Sequence, residues 1–146
     1  MKLPEPVPGL VIRYAFLWSH EAEAGAVEAA KDRPCAIIVA VRKTAEGDLR
    51  VVVAPITHAP PQGEEIASSV RIPPKAAKAI GLNDGPHWLR ADELNSFAWP
   101  GFDLRQIPGS DSYAYGMLPK AVYEDLRGLI LEIKKRSDQK AILDRD

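Results

Sequence analysis

The stretch PCAIIVAVRKTAEGDLRVVVAPIT, residues 34–57, contains two apolar segments on either side of a short polar one. Both apolar segments are short and rich in β-branched residues, and the residues TAEGD between them are typical of a turn. The pattern therefore predicts an antiparallel hairpin. Because Pro55 in the second strand cannot donate to a hydrogen-bond ladder, we expect it at a sheet edge or at a bulge.

Further short elements are predicted on both sides of this hairpin. Apolar or alternating segments predict strands at residues 9–18, 66–73, 88–94, 103–107 and 113–118. Residues 19–32 are predicted to form a long loop with one helical turn, and residues 73–82 one or two helical turns.

The C-terminal region contains the longest helical pattern in the sequence. One apolar stripe is formed by Val122, Leu126, Leu129, Ile130 and Ile133. Pro119 suits the first turn, and the basic residues 134–136 suit the last. We therefore expect a helix over about 119–136, with a frayed tail over 137–146. Strands and helix together predict a single mainly β domain over residues 1–146, a small curled antiparallel barrel with a C-terminal helix packed on it.

Composition restricts the class of function. The 146 residues include 19 basic and 20 acidic side chains, so a nucleic acid would have to bind to a local basic patch. The single cysteine, Cys35, lies in an apolar segment, which predicts a buried thiol and fits a cytoplasmic location. We expect neither a signal peptide nor a membrane span, since no apolar segment approaches about 20 residues.

Arg33 and Thr57 stand at the two open ends of the predicted hairpin. Arg33 precedes Pro34, which favours an extended backbone at the start of the first strand. A hairpin brings that start close to the end of its second strand, so Arg33 and Thr57 should be neighbours. A guanidinium beside a hydroxyl could hold one phosphate group. Taken alone, each residue is more typical of a solvated strand end.

Two other pairs of residues could carry chemistry. In a continuous strand, Arg90 and Asp92 would share one face, either as a structural ion pair or as a carboxylate held beside a reacting group. His20 and Glu21 lie on the predicted loop, where a histidine is usually solvated but could transfer protons. The three histidines and Cys35 lack the spacing of metal ligands, so we predict neither a metal site nor a cofactor.

The order of these segments resembles the MazF/PemK (Kid) family of toxins from bacterial toxin–antitoxin modules. Six segments follow one another as in that family, and the resemblance covers residues 8–133. They are the start of the first strand, PGLV, then HEAEAG, RPCAIIVAV, VVVAPITH, WLRADELNSF and YGMLPKAVYEDLRGLIL. It implies an SH3-like barrel of the plasmid-toxin type, a homodimer and metal-independent endoribonuclease activity on single-stranded RNA. It also implies a cognate antitoxin protein as a partner.

The resemblance also implies roles for individual residues. Arg33 matches the arginine of the family's Arg-Pro pair, and Thr57 matches the threonine that closes the APIT strand; both are active-site residues in the MazF branch. Arg90 and Asp92 match the catalytic Arg-x-Asp of the PemK branch. His20, with the adjacent Glu21, matches that branch's His-Glu pair, whose histidine contributes to the RNA site.

Further RNA contacts are expected at Glu21, His58, Asn95 and Ser96. The chain departs from the family after Asp92, where Glu93, Leu94, Asn95 and Ser96 replace the usual glutamine, apolar residue, arginine and threonine. A basic residue is therefore missing from the predicted site.

The implied reaction is attack of an RNA 2′-OH on its own phosphate, which leaves a 2′,3′-cyclic phosphate and a 5′-OH. Asp92 is expected to be the base, with Arg33 and Arg90 stabilising the developing charge and either an arginine or His20 as the acid. Aromatic side chains could stack on RNA bases, although each is more typical of a core or interface: Trp18, Trp99, Tyr113 and Tyr115.

The dimer contact is expected to use an aromatic loop containing Trp99, Phe102 and Ile107. The alternative function is an inactive or protein-binding barrel of the same family, such as a gyrase poison. Gyrase poisons of this type resemble proteins that use a C-terminal Trp-Gly-Ile. The sequence here ends in LDRD, which does not match that motif and disfavours a gyrase poison.

Overall fold

The computed structural model of the protein describes residues 3–29, 31–42, 49–136 and 142–145. Within these ranges the chain is mainly β with a C-terminal helix, as the sequence predicts. The helices are α1 (Ser19–Glu23), α2 (Pro74–Ala79) and α3 (Lys120–Arg136), with a 3-10 helix at Gly63–Ser68. One sheet contains β1 (Leu10–Tyr14), β2 (Arg33–Arg42), β3 (Leu49–Thr57), β4 (Ser69–Ile72), β5 (His87–Arg90), β6 (Leu94–Ala98), β7 (Leu104–Arg105), β8 (Ala114–Met117) and β9 (Ile142–Asp144).

This sheet is open, with the strand order β4-β5-β3-β2-β1-β7 along its main path. β6 pairs with β3 beside β5, β8 pairs with β1, and β9 pairs with β6 in parallel; every other pairing is antiparallel. The described strands therefore form a curled sheet that does not close into a barrel. No helix in the described part of the chain is long and apolar enough to cross a membrane.

The predicted hairpin is confirmed as β2 and β3, which pair in antiparallel register from Cys35–Pro55 to Arg42–Leu49. Its predicted turn, residues 44–48, lies outside the described residues. The pairing ends at Cys35–Pro55, and the same register extended by two residues would set Arg33 opposite Thr57.

Pro55 lies at neither a sheet edge nor a bulge, so the expectation for it is wrong. β3 is a central strand that pairs with β6 over residues 50–53 and with β5 at Ile56 and Thr57. Pro55 falls between these two pairings, where its missing N–H leaves no gap in either ladder. The bulge lies instead in β2 between Ile37 and Val39.

Helix α3 packs on the sheet beside this bulge. The Tyr123 hydroxyl donates a 2.7 Å hydrogen bond to the carbonyl of Ile38, the extra residue of the bulge. The predicted apolar stripe is confirmed: Val122, Leu126 and Ile130 are buried, and Leu129 and Ile133 pack against the same core. A second core on the other face of the sheet includes Tyr14, Phe16, Cys35 and Phe97.

The predicted strand over residues 88–94 is shorter in the structure, because the chain turns at residues 91–93. β5 ends at Arg90, Asp92 lies in the turn, and β6 begins at Leu94. The short predicted strand at 103–107 is also trimmed to the pair Leu104–Arg105.

The predicted frayed tail is wrong over residues 142–145, which the structure places in β9 and just after it. Residues 137–141 and 146 lie outside the described residues. The side chain of Arg145 is only 4% exposed. Its Nη1 donates to the carbonyl of Ala15 at 2.7 Å and to Asn95 Oδ1 at 3.0 Å, and its Nη2 bonds Asp103 Oδ2 at 3.1 Å.

Arg145 should therefore contribute measurably to stability. We expect Arg145→Ala to lower the free energy of unfolding by about 2 to 4 kcal/mol, because it removes a buried charge-assisted network and leaves acceptors unpaired. Urea unfolding measures the change. Arg136→Ala, at the exposed end of α3, is the matched control and should change stability by less than about 0.5 kcal/mol. Equal, small effects of both variants would refute this role of Arg145.

Candidate active site

Several of the predicted site residues line one cleft at the open end of the hairpin. This cleft is lined by Trp18, His20, Lys31, Arg33, Thr57, His58, Ala59, Glu65, Arg90 and Glu93. The structure thus brings together residues from α1, from the facing ends of β2 and β3, and from the end of β5.

Thr57 ends β3 with its side chain turned into this cleft. Its Oγ1 accepts a 3.1 Å hydrogen bond from the backbone N–H of Ala59, which fixes the hydroxyl at the strand end. The hydroxyl proton remains available as a donor to an oxygen atom in the cleft. Arg33 lines the same cleft, so the two residues that the sequence predicts to be neighbours belong to one site.

Arg33 stacks on Trp18, with its Cζ 4.9 Å from the centroid of the ring. Its Nε is buried and has no hydrogen-bond partner in the described structure. Within the described ranges no carboxylate forms an ion pair with it. Burial lowers the pKa of the guanidinium from its ordinary value, since the charged form loses solvent. A buried donor without a partner is costly, and an oxyanion would satisfy it.

Arg90 lies on the same tryptophan but is already paired. Its Cζ is 5.6 Å from the centroid of the Trp18 ring. Its Nε and Nη2 donate to the two carboxylate oxygens of Asp92 at 2.9 and 2.8 Å, and Glu65 is 3.5 Å from Nη1. The hydrogen bond with Asp92 raises the pKa of Arg90. Asp92 itself is not among the residues that line the cleft, because its carboxylate faces the guanidinium.

Two carboxylates hold α1, and with it His20, at the edge of the cleft. Glu93 Oε1 accepts a 2.8 Å hydrogen bond from the backbone N–H of Ser19, and Oε2 accepts the Ser19 hydroxyl. Glu21 Oε1 accepts the backbone N–H of Trp18 at 3.0 Å. The His20 ring stacks near Trp18, with centroids 6.3 Å apart. Glu93, which departs from the family pattern, thus has a structural role here, and the predicted RNA contact of Glu21 stays a prediction.

Asn95 cannot contact RNA in this structure, so its predicted role is wrong. It is 0% exposed, and its side-chain amide bonds both the N–H and the carbonyl of Leu17 at 2.9 and 2.8 Å. Ser96 also lies outside the cleft, where its Oγ accepts a 3.1 Å bond from Arg50 Nη2. Asn95 and Ser96 pair with Val53 and Val52 of β3, several residues before Thr57 at the end of that strand.

Of the aromatic candidates for stacking, Trp18 alone lines the cleft. Trp99 and Tyr113 pack against the second core, and Tyr115 packs against the main core. Lys31 and Glu65 also line the cleft, and neither was predicted from the sequence. Lys31 is two residues from Arg33 in the sequence, and that proximity could have predicted it as a site residue. No sequence feature predicts Glu65. No group of three or more His, Cys, Asp or Glu side chains in the described ranges could hold a metal ion.

No protein-family model matches this sequence, and no curated protein matches it significantly. The resemblance to the MazF/PemK family therefore rests on the sequence motifs, and its consequences are proposals.

Proposed function

We propose that the protein is a metal-independent endoribonuclease that cleaves single-stranded RNA, the toxin of a toxin–antitoxin module of the MazF/PemK type. The observation that carries the proposal is the Arg33 guanidinium, stacked on Trp18 with a buried Nε that lacks a partner. We also propose that the open sheet is a variant of the SH3-like barrel of these toxins. The RNA substrate and the reduced Cys35 fit a cytoplasmic location.

The proposed ligand of Arg33 is the scissile phosphate. Trp18 covers one face of the Arg33 guanidinium. An anion would therefore approach the edge of the group, where its N–H donors lie. A phosphate oxygen there would also be within reach of the Thr57 hydroxyl, which lines the same cleft. These donors stabilise the charge that develops on the non-bridging oxygens as phosphorus becomes five-coordinate.

Two imidazoles line the cleft beside Arg33, and we assign proton transfer to them. His58 removes the proton of the 2′-OH as its oxygen forms a bond to phosphorus. The bond from phosphorus to O5′ breaks, and His20 donates a proton to that oxygen. The products are a 2′,3′-cyclic phosphate and a 5′-OH, and no external reactant is consumed. An imidazole suits both roles because it exchanges protons near neutral pH.

Asp92 has a different role in this proposal from the one the sequence suggested. Its bidentate contact with Arg90 orients that guanidinium over Trp18, so the carboxylate acts as a positioning group. That Asp92 is itself the base stays a prediction.

Arg33→Ala should lower the rate of RNA cleavage, measured in the presence of EDTA, by at least about 10²-fold, since it removes the main phosphate contact. The matched control is Arg71→Ala, because Arg71 also lies over a tryptophan, 5.8 Å from the Trp88 centroid, but outside the cleft. The control should retain cleavage within about twofold. A folded Arg33→Ala variant that cleaves at the wild-type rate would exclude the proposed phosphate site.

His20→Ala should lower cleavage of ordinary RNA by roughly 10²- to 10⁴-fold. The same variant should cleave an RNA with a 5′-bridging sulfur at nearly the wild-type rate, because a thiolate leaves without a proton. Asp92→Asn and His58→Ala should show no such rescue. Rescue of His58→Ala instead would exchange the acid and base roles, and rescue of neither histidine variant would exclude the pair.

A protein that binds RNA or a protein partner without cleaving is the second candidate. The carboxylates of Glu65 and Glu93 in the cleft favour it, since they offset the arginines. A purified wild-type protein that leaves mixed-sequence RNA intact, yet binds it through Arg33, would establish this alternative.

We also propose a homodimer and an acidic antitoxin segment that covers the cleft. Of the aromatic residues predicted for the dimer interface, Trp99 packs against the second core, whereas Phe102 is 97% exposed. Phe102 is therefore the aromatic side chain that we expect to contact the second copy. Phe102→Glu should shift sedimentation from twice the chain mass toward the monomer. Val27→Glu, at another exposed apolar residue (82%), should leave the dimer intact. A wild-type monomer at micromolar concentration would end this part of the proposal.

A further inference from the structure

A second cavity adjoins the cleft and shares Lys31, Arg33 and His58 with it. We call it the side cavity; its other walls come from β1, the end of β3, the segment after α2, and β8. Its volume is about 210 Å³, below the usual range for sites that hold drug-sized ligands, so it fits a single planar ring system.

The histidine pair His58 and His87 gives the side cavity a rigid aromatic wall. The two rings lie 4.5 Å apart between centroids, at an angle of 46°. His87 is 3% exposed and its Nε2 is 2.7 Å from the carbonyl of Asn83. Because a carbonyl only accepts, Nε2 carries a hydrogen, and the contact fixes the orientation of the ring.

The remaining walls combine apolar surface with a few fixed polar groups. Ile56 and Leu82 supply the apolar surface. The Tyr115 hydroxyl accepts a 2.9 Å hydrogen bond from Arg13 Nη1, which leaves its own proton available to a ligand. Ring faces, apolar contacts and a small number of oriented donors are the features that bind a nucleobase.

We propose that the side cavity binds the base of a nucleotide whose phosphate contacts Arg33. Arg33 and His58 line both cavities, so one phosphate at Arg33 would place a sugar and its base within reach of the His58–His87 wall. The inference rests on the proposed function, and it makes His87, Leu82 and Tyr115 determinants of the sequence at which the RNA is cut.

Calorimetry with the four ribonucleoside 5′-monophosphates and with ribose 5-phosphate tests the site directly. At least one nucleotide should bind at least about tenfold more tightly than ribose 5-phosphate, which corresponds to about 1.4 kcal/mol for the base. Leu82→Trp should fill the side cavity and reduce this ratio below about twofold, with ribose 5-phosphate binding unchanged. Leu131→Trp, on an exposed position of α3, is the control and should keep the ratio.

The proposal is overturned if no nucleotide binds or if the base raises the affinity over that of ribose 5-phosphate by less than about twofold. It is also overturned if Leu82→Trp weakens the binding of both ligands equally. Should Leu82→Trp fail to fold, the unmodified protein gives the answer by proton NMR, since the chain has three histidines to assign. The ring protons of His87 should shift with the tightest-binding nucleotide and not with ribose 5-phosphate; equal shifts would reject the site.

These binding measurements do not depend on cleavage. Base-dependent binding in a protein that does not cut RNA would refute the nuclease and retain the side cavity. Cleavage that persists without base-dependent binding would retain the nuclease and refute the base site in the side cavity.

Discussion

The change of partner along β3 determines where the cleft forms. β3 pairs with β6 over residues 50–53 and with β5 at Ile56 and Thr57, and Pro55 lies between the two pairings. A residue without an N–H is compatible with that position, because neither β5 nor β6 pairs with it there. The chain turns between β5 and β6, and Arg90 and Glu93 on either side of that turn line the cleft together with Thr57.

Trp18 then provides one apolar surface for two arginines in different electrostatic states. Arg90 is neutralised by Asp92 and approached by Glu65, whereas Arg33 has Trp18 beneath it and no ion pair in the described ranges. The pKa directions agree with this difference, since that of Arg90 is raised by its partner and that of Arg33 is lowered by burial. Of the two arginines on Trp18, Arg90 has a bidentate carboxylate partner and Arg33 has no ion pair in the described ranges, so an incoming anion gains more at Arg33 than at Arg90.

Local sequence signals were sufficient for the hairpin, for helix α3 and for the proximity of Arg33 to Thr57. Each depends on residues close in sequence or on the register of a single strand pair, which turn chemistry and periodicity reveal. Asn95 and the tail were predicted wrongly because their environments are non-local. Asn95 bonds Leu17, 78 residues away, and Arg145 bonds Ala15, 130 residues away. The turn after Arg90 was missed because Arg-Ala-Asp carries neither glycine nor proline to mark it.

The same non-local contacts connect the C-terminal strand to the candidate site. Asn95 Oδ1 accepts hydrogen bonds from both Arg145 Nη1 and the backbone N–H of Leu17, the residue that precedes Trp18. Arg145 also bonds the carbonyl of Ala15, so the backbone that leads into Trp18 is fixed from one side by β6 and from the other by the tail. Since the ring of Trp18 carries both guanidinium groups, the geometry of the cleft depends on residues at opposite ends of the chain.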